Sequence, residues 1–123
     1  MPAASARIVL TAVSSEREAA SLARILVDDR LAACVNIVGP IRSVYRWRGA
    51  VEDEREYLLV VKTRGSLLGR VQSRVKELHS YELPEILVLA PDGGSAAYLS
   101  WIFESTTDRP AANPPVRKGR RRR

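Results

Sequence analysis

The chain is short of the residues that most small-domain chemistry needs. It has one cysteine and one histidine. One cysteine excludes an internal disulfide and suits a reducing compartment, so a cytoplasmic location is expected. One cysteine with one histidine cannot complete a four-ligand metal site within a single chain. No Ser/His/Asp set, no Cys/His pair with a third orienting group and no metal-protease motif is present, so no catalysed reaction is expected. No apolar run approaches the roughly 20 residues of a membrane span. The opening Met-Pro-Ala-Ala-Ser-Ala-Arg lacks the basic region and long apolar core of a signal peptide. The end of the chain is basic without an acid among it: Arg117, Lys118 and Arg120 to Arg123 supply six of the twenty basic side chains. The fourteen that remain match the fourteen acids, so the net charge of +6 belongs to this tail. The body therefore has no basic footprint for nucleic acid, and only the tail has the charge to bind a polyanion.

What the chain does have is two long stretches of strand character, 33–48 and 51–64, folded over at Arg48-Gly49-Ala50. Ordinary strands run about five or six residues. Fifteen residues at about 3.3 Å each reach on the order of 50 Å, against a radius of gyration near 13 Å for a domain of about this size. The ribbon must project, and an isolated two-stranded ribbon is marginal in water. A second copy of the chain is the simplest cover. Gly39-Pro40 interrupts the first strand, which predicts a bend or bulge. Beyond it Ile41, Ser43, Tyr45 and Trp47 share one face, and Arg42, Val44, Arg46 and Arg48 the other. A two-residue loop sets the Tyr45/Trp47 face against Glu52, Glu54 and Glu56. A three-residue loop through Gly49 sets arginine against glutamate and is the expectation adopted, since it pairs opposite charges.

The remaining elements follow from periodicity. Residues 7–13 form a short apolar run, read as a central strand. Ser15 and Glu18 form a capping box ahead of a helix over 16–29, with Ala19, Leu22, Ala23 and Leu26 on one stripe. Nothing near Ser15 could act as its base, so it is a cap and not a nucleophile. Ser66 is expected to cap a second helix over 67–79 carrying Leu68, Val71, Val75 and Leu78. Pro84 ends that region. Residues 85–90 read as a fourth strand, and Asp92-Gly93-Gly94 turns the chain. A last helix spans 95–105. The order β-α-β-β-α-β is that of a ferredoxin-like α+β fold with an extra C-terminal helix. Residues 1–6 are expected to be a flexible start and 7–106 the domain. The composition of 107–123 predicts a disordered basic tail.

Several side chains are candidates for chemistry. Cys34, in Leu31-Ala-Ala-Cys-Val-Asn-Ile37, is either a small buried strand residue or a soft ligand for copper or another thiophilic metal. His79 stands at a helix end before Ser80-Tyr81-Glu82; it is either a dipole-favoured C-terminal histidine or a functional group. Glu82 is its carboxylate partner, a hard metal ligand or a solvated loop acid. Tyr81 is either packing or contact. Lys62 lines a pocket or covers the sheet with its stem, and Tyr45 and Trp47 suit an interface, where aromatics are enriched. Asp92-Gly93-Gly94 before a helix is a weak phosphate-loop hint that matches neither glycine-rich fingerprint.

Leu31-Ala-Ala-Cys-Val-Asn-Ile37, Ser43-Val-Tyr-Arg-Trp-Arg-Gly49, the Lys62-Thr63 strand end, His79-Ser-Tyr-Glu-Leu-Pro-Glu85 and Tyr98-Leu-Ser-Trp101-Ile102 together resemble the CutA divalent-cation tolerance proteins. The resemblance runs from about residue 8 to 105. It implies a ferredoxin-like protomer in a tight PII-like homotrimer, tolerance of copper and other divalent ions, no established catalysis and no organic cofactor. By the same resemblance Cys34 and His79 fall on candidate metal-binding positions. Tyr45, Trp47, Lys62, Tyr81, Glu82 and Trp101 fall around an intersubunit cleft. Thr11 stands where some members carry Cys, Leu78 where some carry a second His, and Ser80 replaces the usual Pro. A PII-like signalling trimer that holds a small anion or nucleotide through Lys62 and arginines is the alternative.

Overall fold

The computed structural model describes residues 5–107. Of the expected tail, 107–123, all but Thr107 lies outside that range, and Thr107 donates its amide to the Arg30 carbonyl at 3.1 Å. Of the expected flexible start, 1–6, only residues 5 and 6 lie inside it, and Ala6 opens a strand. The elements are β1 (Ala6–Val13), α1 (Glu16–Asp28), β2 (Cys34–Trp47), β3 (Ala50–Arg64), a 3-10 turn (Gly65–Leu67), α2 (Leu68–Leu78), β4 (Leu87–Leu89) and α3 (Ala96–Glu104). They build one four-stranded sheet in the order β2-β3-β1-β4, with every neighbouring pair antiparallel. This is the expected βαββαβ ferredoxin-like arrangement with a third helix appended.

The core follows from two periods meeting. Alternate residues of β1 and β3 (Val9, Val13, Leu59 and Val61) turn to one face of the sheet and are buried. The 3.6-residue stripes of α1 (Ala19, Leu22, Leu26) and α2 (Val71, Val75) cover them. Each such Val or Leu contributes roughly 1.5–3 kcal/mol of burial free energy. Ser15 caps α1, its Oγ accepting the Glu18 amide at 3.1 Å. Only half of the capping box forms, because the Glu18 carboxylate turns away toward Ser80.

Ser66 does not cap α2. A 3-10 turn precedes the helix and Leu67 is the N-cap, without a side-chain cap bond. Leu67 is fully buried, and seating it in the core outweighs a hydroxyl cap on the surface. The stripe also stops short: Leu78 is exposed. β4 is a three-residue edge strand, shorter than the apolar run 85–90, because only Leu87 to Leu89 find partners on β1.

The β2–β3 ribbon has the length read from the sequence, with a register shift between Val38 and Ile41 where the cis Gly39–Pro40 peptide lies. Position 39 favours glycine, since a Cβ there would stand 2.6 Å from Tyr57 Cδ2 and the ring would have to shift. The loop, however, has two residues and not three. Trp47 pairs with Ala50, leaving Arg48 and Gly49 at φ 51° and 83°. Two positive φ values are what a type I′ turn requires, and its twist matches that of the strands. The loop geometry outweighs local charge pairing. Tyr45 faces Glu52, Ser43 faces Glu54 and Ile41 faces Glu56, while Arg42 faces Arg55 and Val44 faces Asp53. One face of the ribbon is therefore aromatic and acidic, the other basic and aliphatic.

Candidate functional site at the base of the ribbon

Two polar clusters lie at opposite ends of the sheet. The first is built by the segment after α2. His79 caps the helix in extended conformation, and its ring is fully enclosed. Its Nε2 is 2.7 Å from the Ala12 carbonyl oxygen, which can only accept, so Nε2 carries the proton. Nδ1 accepts the Tyr81 amide at 3.0 Å. Both ring nitrogens are thus engaged, and the tautomer is set by its neighbours. The Glu18 carboxylate lies 3.8 Å from Nδ1 and takes hydrogen bonds from the amide and the hydroxyl of Ser80, both at 3.0 Å. Burial alone would push the Glu18 pKa up, but the two Ser80 bonds, the nearby His79 and the Ser14 hydroxyl outweigh it and hold it below the ordinary value.

Tyr81 stacks against His79 at 4.8 Å between ring centroids and donates its hydroxyl to Glu56 at 2.7 Å. Its pKa is pushed well up, by burial first and then by that bond to Glu56. On the ribbon Tyr45 donates to Glu54 at 2.8 Å, and that bond, with the fields of Glu54, Glu56 and Glu52, raises the phenol to about 12. Glu82 accepts Arg48 from the ribbon loop at 2.8 Å, and the Arg48 guanidinium sits 5.2 Å over the Trp47 ring. The post-helix segment therefore runs along the ribbon, tied at Glu56 and Arg48.

The second cluster is Cys34, Asn36 and Lys62. Cys34 is buried and lies opposite Lys62 in the β2–β3 register. Its Sγ stands 3.9 Å from Asn36 Oδ1, and Lys62 Nζ donates to the same oxygen. Trp101 is half-buried on α3 and packs on Tyr98 at 5.4 Å.

Within one chain the expected metal residues lie apart. His79 is anchored on Ala12, which pairs with Leu58, whereas Cys34 pairs with Lys62. Leu58 and Lys62 are four residues apart on β3, about 13 Å. Cys34, His79 and Glu82 of one chain do not converge on one ion. Among the described residues no group of three or more His, Cys, Asp or Glu side chains is placed to hold a metal. A cation taking His79 Nδ1 would also have to displace the Tyr81 amide.

Tyr81 and Glu82 lie beside His79 as their spacing suggests, and Tyr45 and Trp47 lie along the same ribbon face. Glu18, Glu56 and Asn36 were missed. Glu18 read only as a helix cap and Glu56 as one acid in a run. Asn36 lay inside the Cys34 motif, but its bond to Lys62 needs a strand register that the sequence does not display. Among the described residues no helix is long and apolar enough to cross a membrane.

The sequence and the fold match known proteins. The model of the CutA1 divalent ion tolerance proteins matches residues 7–105. A divalent-cation tolerance protein CutA from Thermus thermophilus is 46% identical over 99 residues, covering 80% of this chain and 96% of that protein. The chloroplastic CutA of Arabidopsis thaliana is 43% identical, but the chain spans only 54% of its length. The crystal structure of CutA1 from Oryza sativa superposes with a TM-score of 0.82 at 40% identity, covering 85% of this chain and 96% of that one. The family match over residues 7–105, with a relative 46% identical over 99 residues, shows that the chain belongs to the CutA1 family of divalent ion tolerance proteins.

Proposed function

We propose that this chain serves divalent-cation tolerance as a cytoplasmic homotrimer that binds copper or another divalent cation in the seams between copies, with no catalysed reaction. The observation that carries the assembly is β4. All three of its residues, Leu87, Val88 and Leu89, are exposed, and among the described residues its outer edge has no strand beside it. A bare apolar edge strand is an open template for pairing, and it lies in the same chain as a ribbon too long for its own body. The separation of Cys34 from His79 and Glu82 supports a shared site: one copy supplies the soft thiolate and a neighbour the imidazole or carboxylate. Tyr45, Trp47, Tyr81 and Trp101 then line the cleft. The single free thiol supports the reducing compartment.

Light scattering gives the mass; three times the chain mass is expected, and a monomer overturns the reading. Calorimetric titration of chelator-free protein with copper tests the ion. Binding heat is expected in the parent and reduced in Cys34→Ser and His79→Gln. No heat, or no change in either variant, removes the metal site.

A second reading has one observation in its favour. Lys62 donates to neutral Asn36, and among the described residues no carboxylate pairs with it. A cation held without a counter-charge suits a small anion or nucleotide between copies. Nucleotide retained in a native mass spectrum and lost in Lys62→Ala supports this reading, whereas a bound anion indifferent to Lys62→Ala counts against it.

A further inference from the structure

We infer that the basic run Arg117 to Arg123 binds the phosphodiester backbone of duplex nucleic acid, without reading its sequence, and so carries the folded body to that polymer. The inference goes beyond the cation reading above and stands on separate observations.

The body leaves this task to the run. Residues 1–107 hold thirteen basic and thirteen acidic side chains, whereas residues 108–123 hold seven basic ones against Asp108 alone. Four arginines of the body are neutralised by neighbours: Arg24 by Asp28 at 2.9 Å, Arg42 by Asp53 at 2.7 Å, Arg48 by Glu82 at 2.8 Å and Arg74 by Glu77 at 2.9 Å. Arg46 and Arg55 are exposed and pair with no acid among the described residues, but two charges are a small footprint for a polyanion. From 117 to 123 every residue but Gly119 is basic, and the nearest acid in sequence, Asp108, is nine residues away. The root of the segment is fixed to the body. Thr106 is buried, its Oγ1 donating to the Ile102 carbonyl at 3.0 Å, and its carbonyl accepts Arg64 Nη2 at 2.9 Å. The Thr107 amide donates to the Arg30 carbonyl at 3.1 Å. Arg117 is ten residues beyond Thr107, a reach of at most about 36 Å, against a radius of gyration near 13 Å for the body. The charges can therefore meet a long polymer that the body itself does not grip.

The residue types select the ligand. Five of the six cations in the run are arginine, whose planar guanidinium grips a phosphate bidentately and keeps its charge at any working pH. Successive residues are at most about 3.6 Å apart along a chain. A duplex carries one phosphate charge per about 1.7 Å of its axis, so each cation has a phosphate within reach. Residues 108–123 contain no aromatic side chain to stack on an unpaired base, and contacts to phosphate position a protein without reading sequence. A membrane surface attracts the same charge, but lasting attachment there takes a second, apolar signal. Apart from prolines the segment offers only Ala111, Ala112 and Val116, and the one cysteine that could carry a lipid is Cys34, buried in the body.

The test uses the full-length chain and fluorescence anisotropy with two labelled DNA duplexes of about 20 base pairs and unrelated sequence, at salt from about 50 to about 200 mM. Both duplexes should bind with affinities within about twofold of each other. The logarithm of the affinity should fall with that of salt at a slope of about −5 for one run of six cations, or more steeply where assembled copies engage together. Arg120→Gln, Arg121→Gln, Arg122→Gln and Arg123→Gln in one chain should cut the slope to about a third and the affinity at about 0.1 M salt by about a hundredfold or more. The same four positions changed to lysine should keep the slope and lose less than about tenfold. Arg46→Gln with Arg55→Gln should change neither quantity. Circular dichroism confirms the fold of each variant. No binding by the parent, or a slope indifferent to the four glutamines, overturns the inference. So does a loss in Arg46→Gln with Arg55→Gln in place of the tail variant, or a preference of about tenfold for one sequence. Tighter binding to phosphatidylserine-rich vesicles or to polyglutamate than to duplex at the same salt also overturns it, and names the other partner. None of these outcomes touches the cation and trimer reading, which the copper titration and the mass in light scattering decide.

Discussion

At the residue scale the most informative side chains are buried polar ones. Thr11 is fully buried on the core side of β1, and its Oγ1 has no partner among the described residues. An unpartnered hydroxyl in a core costs about 1–3 kcal/mol, and an apolar group of the same shape removes that cost. Thr11→Val is expected to stabilise the chain by about 1 kcal/mol, seen as a higher urea midpoint at unchanged slope. Glu18 gives a pH dependence. Its folded pKa is lowered, so its contribution is fully present above the ordinary glutamate value of about 4.3 and is lost as pH falls through the folded value. The parent should exceed Glu18→Gln in stability at neutral pH by about 1–2 kcal/mol, the scale of a hydrogen bond to a charged group. The gap should close under acid. A gap that stays constant down to about pH 2.5, well below the ordinary range, would show that the carboxylate charge is not what holds Ser80.

At the scale of elements, two glycines separate the roles of space and conformation. A Cβ at Gly39 would collide with the Tyr57 ring, which packs on the core. Gly49 has open space around it but φ 83°. Gly39→Ala should therefore cost about 1–3 kcal/mol through displaced packing, and Gly49→Ala about 1 kcal/mol through backbone strain alone. Thermal unfolding of the two variants ranks them, and a larger loss at Gly49 would contradict the packing argument. The same ribbon shows where sequence reading stops. Its existence, length and bulge were legible, because long alternating strands and Gly39-Pro40 are local signals. Its register was not, since arginines recur on one face of β2 and glutamates at every second residue of β3, and either loop length gives a plausible set of pairs. The φ values of Arg48 and Gly49 decided it, and they reversed which charges share a face. The candidate site divides in the same way. His79-Ser-Tyr-Glu82 is contiguous and could be read. The contact of Glu18 with Ser80, 62 residues away, and that of Lys62 with Asn36 exist only once the sheet is assembled.

At the scale of the whole molecule, β4 separates a chain that works alone from one that works in company. Leu87 is 58% exposed and Leu89 48%. On a free protomer, lysine at such positions is a surface change, which ordinarily shifts stability by no more than about 0.5 kcal/mol, and it would also guard the edge against pairing. In an assembly that covers this strand the same lysine buries an unpaired charge, at a cost of several kcal/mol for each copy. Leu87→Lys and Leu89→Lys are therefore expected to leave the far-ultraviolet circular dichroism of the protomer intact while reducing the mass in light scattering to that of smaller species. An unchanged mass in both lysine variants would leave the apolar edge bare in the assembled protein, and pairing at β4 would fail as the reason the copies associate.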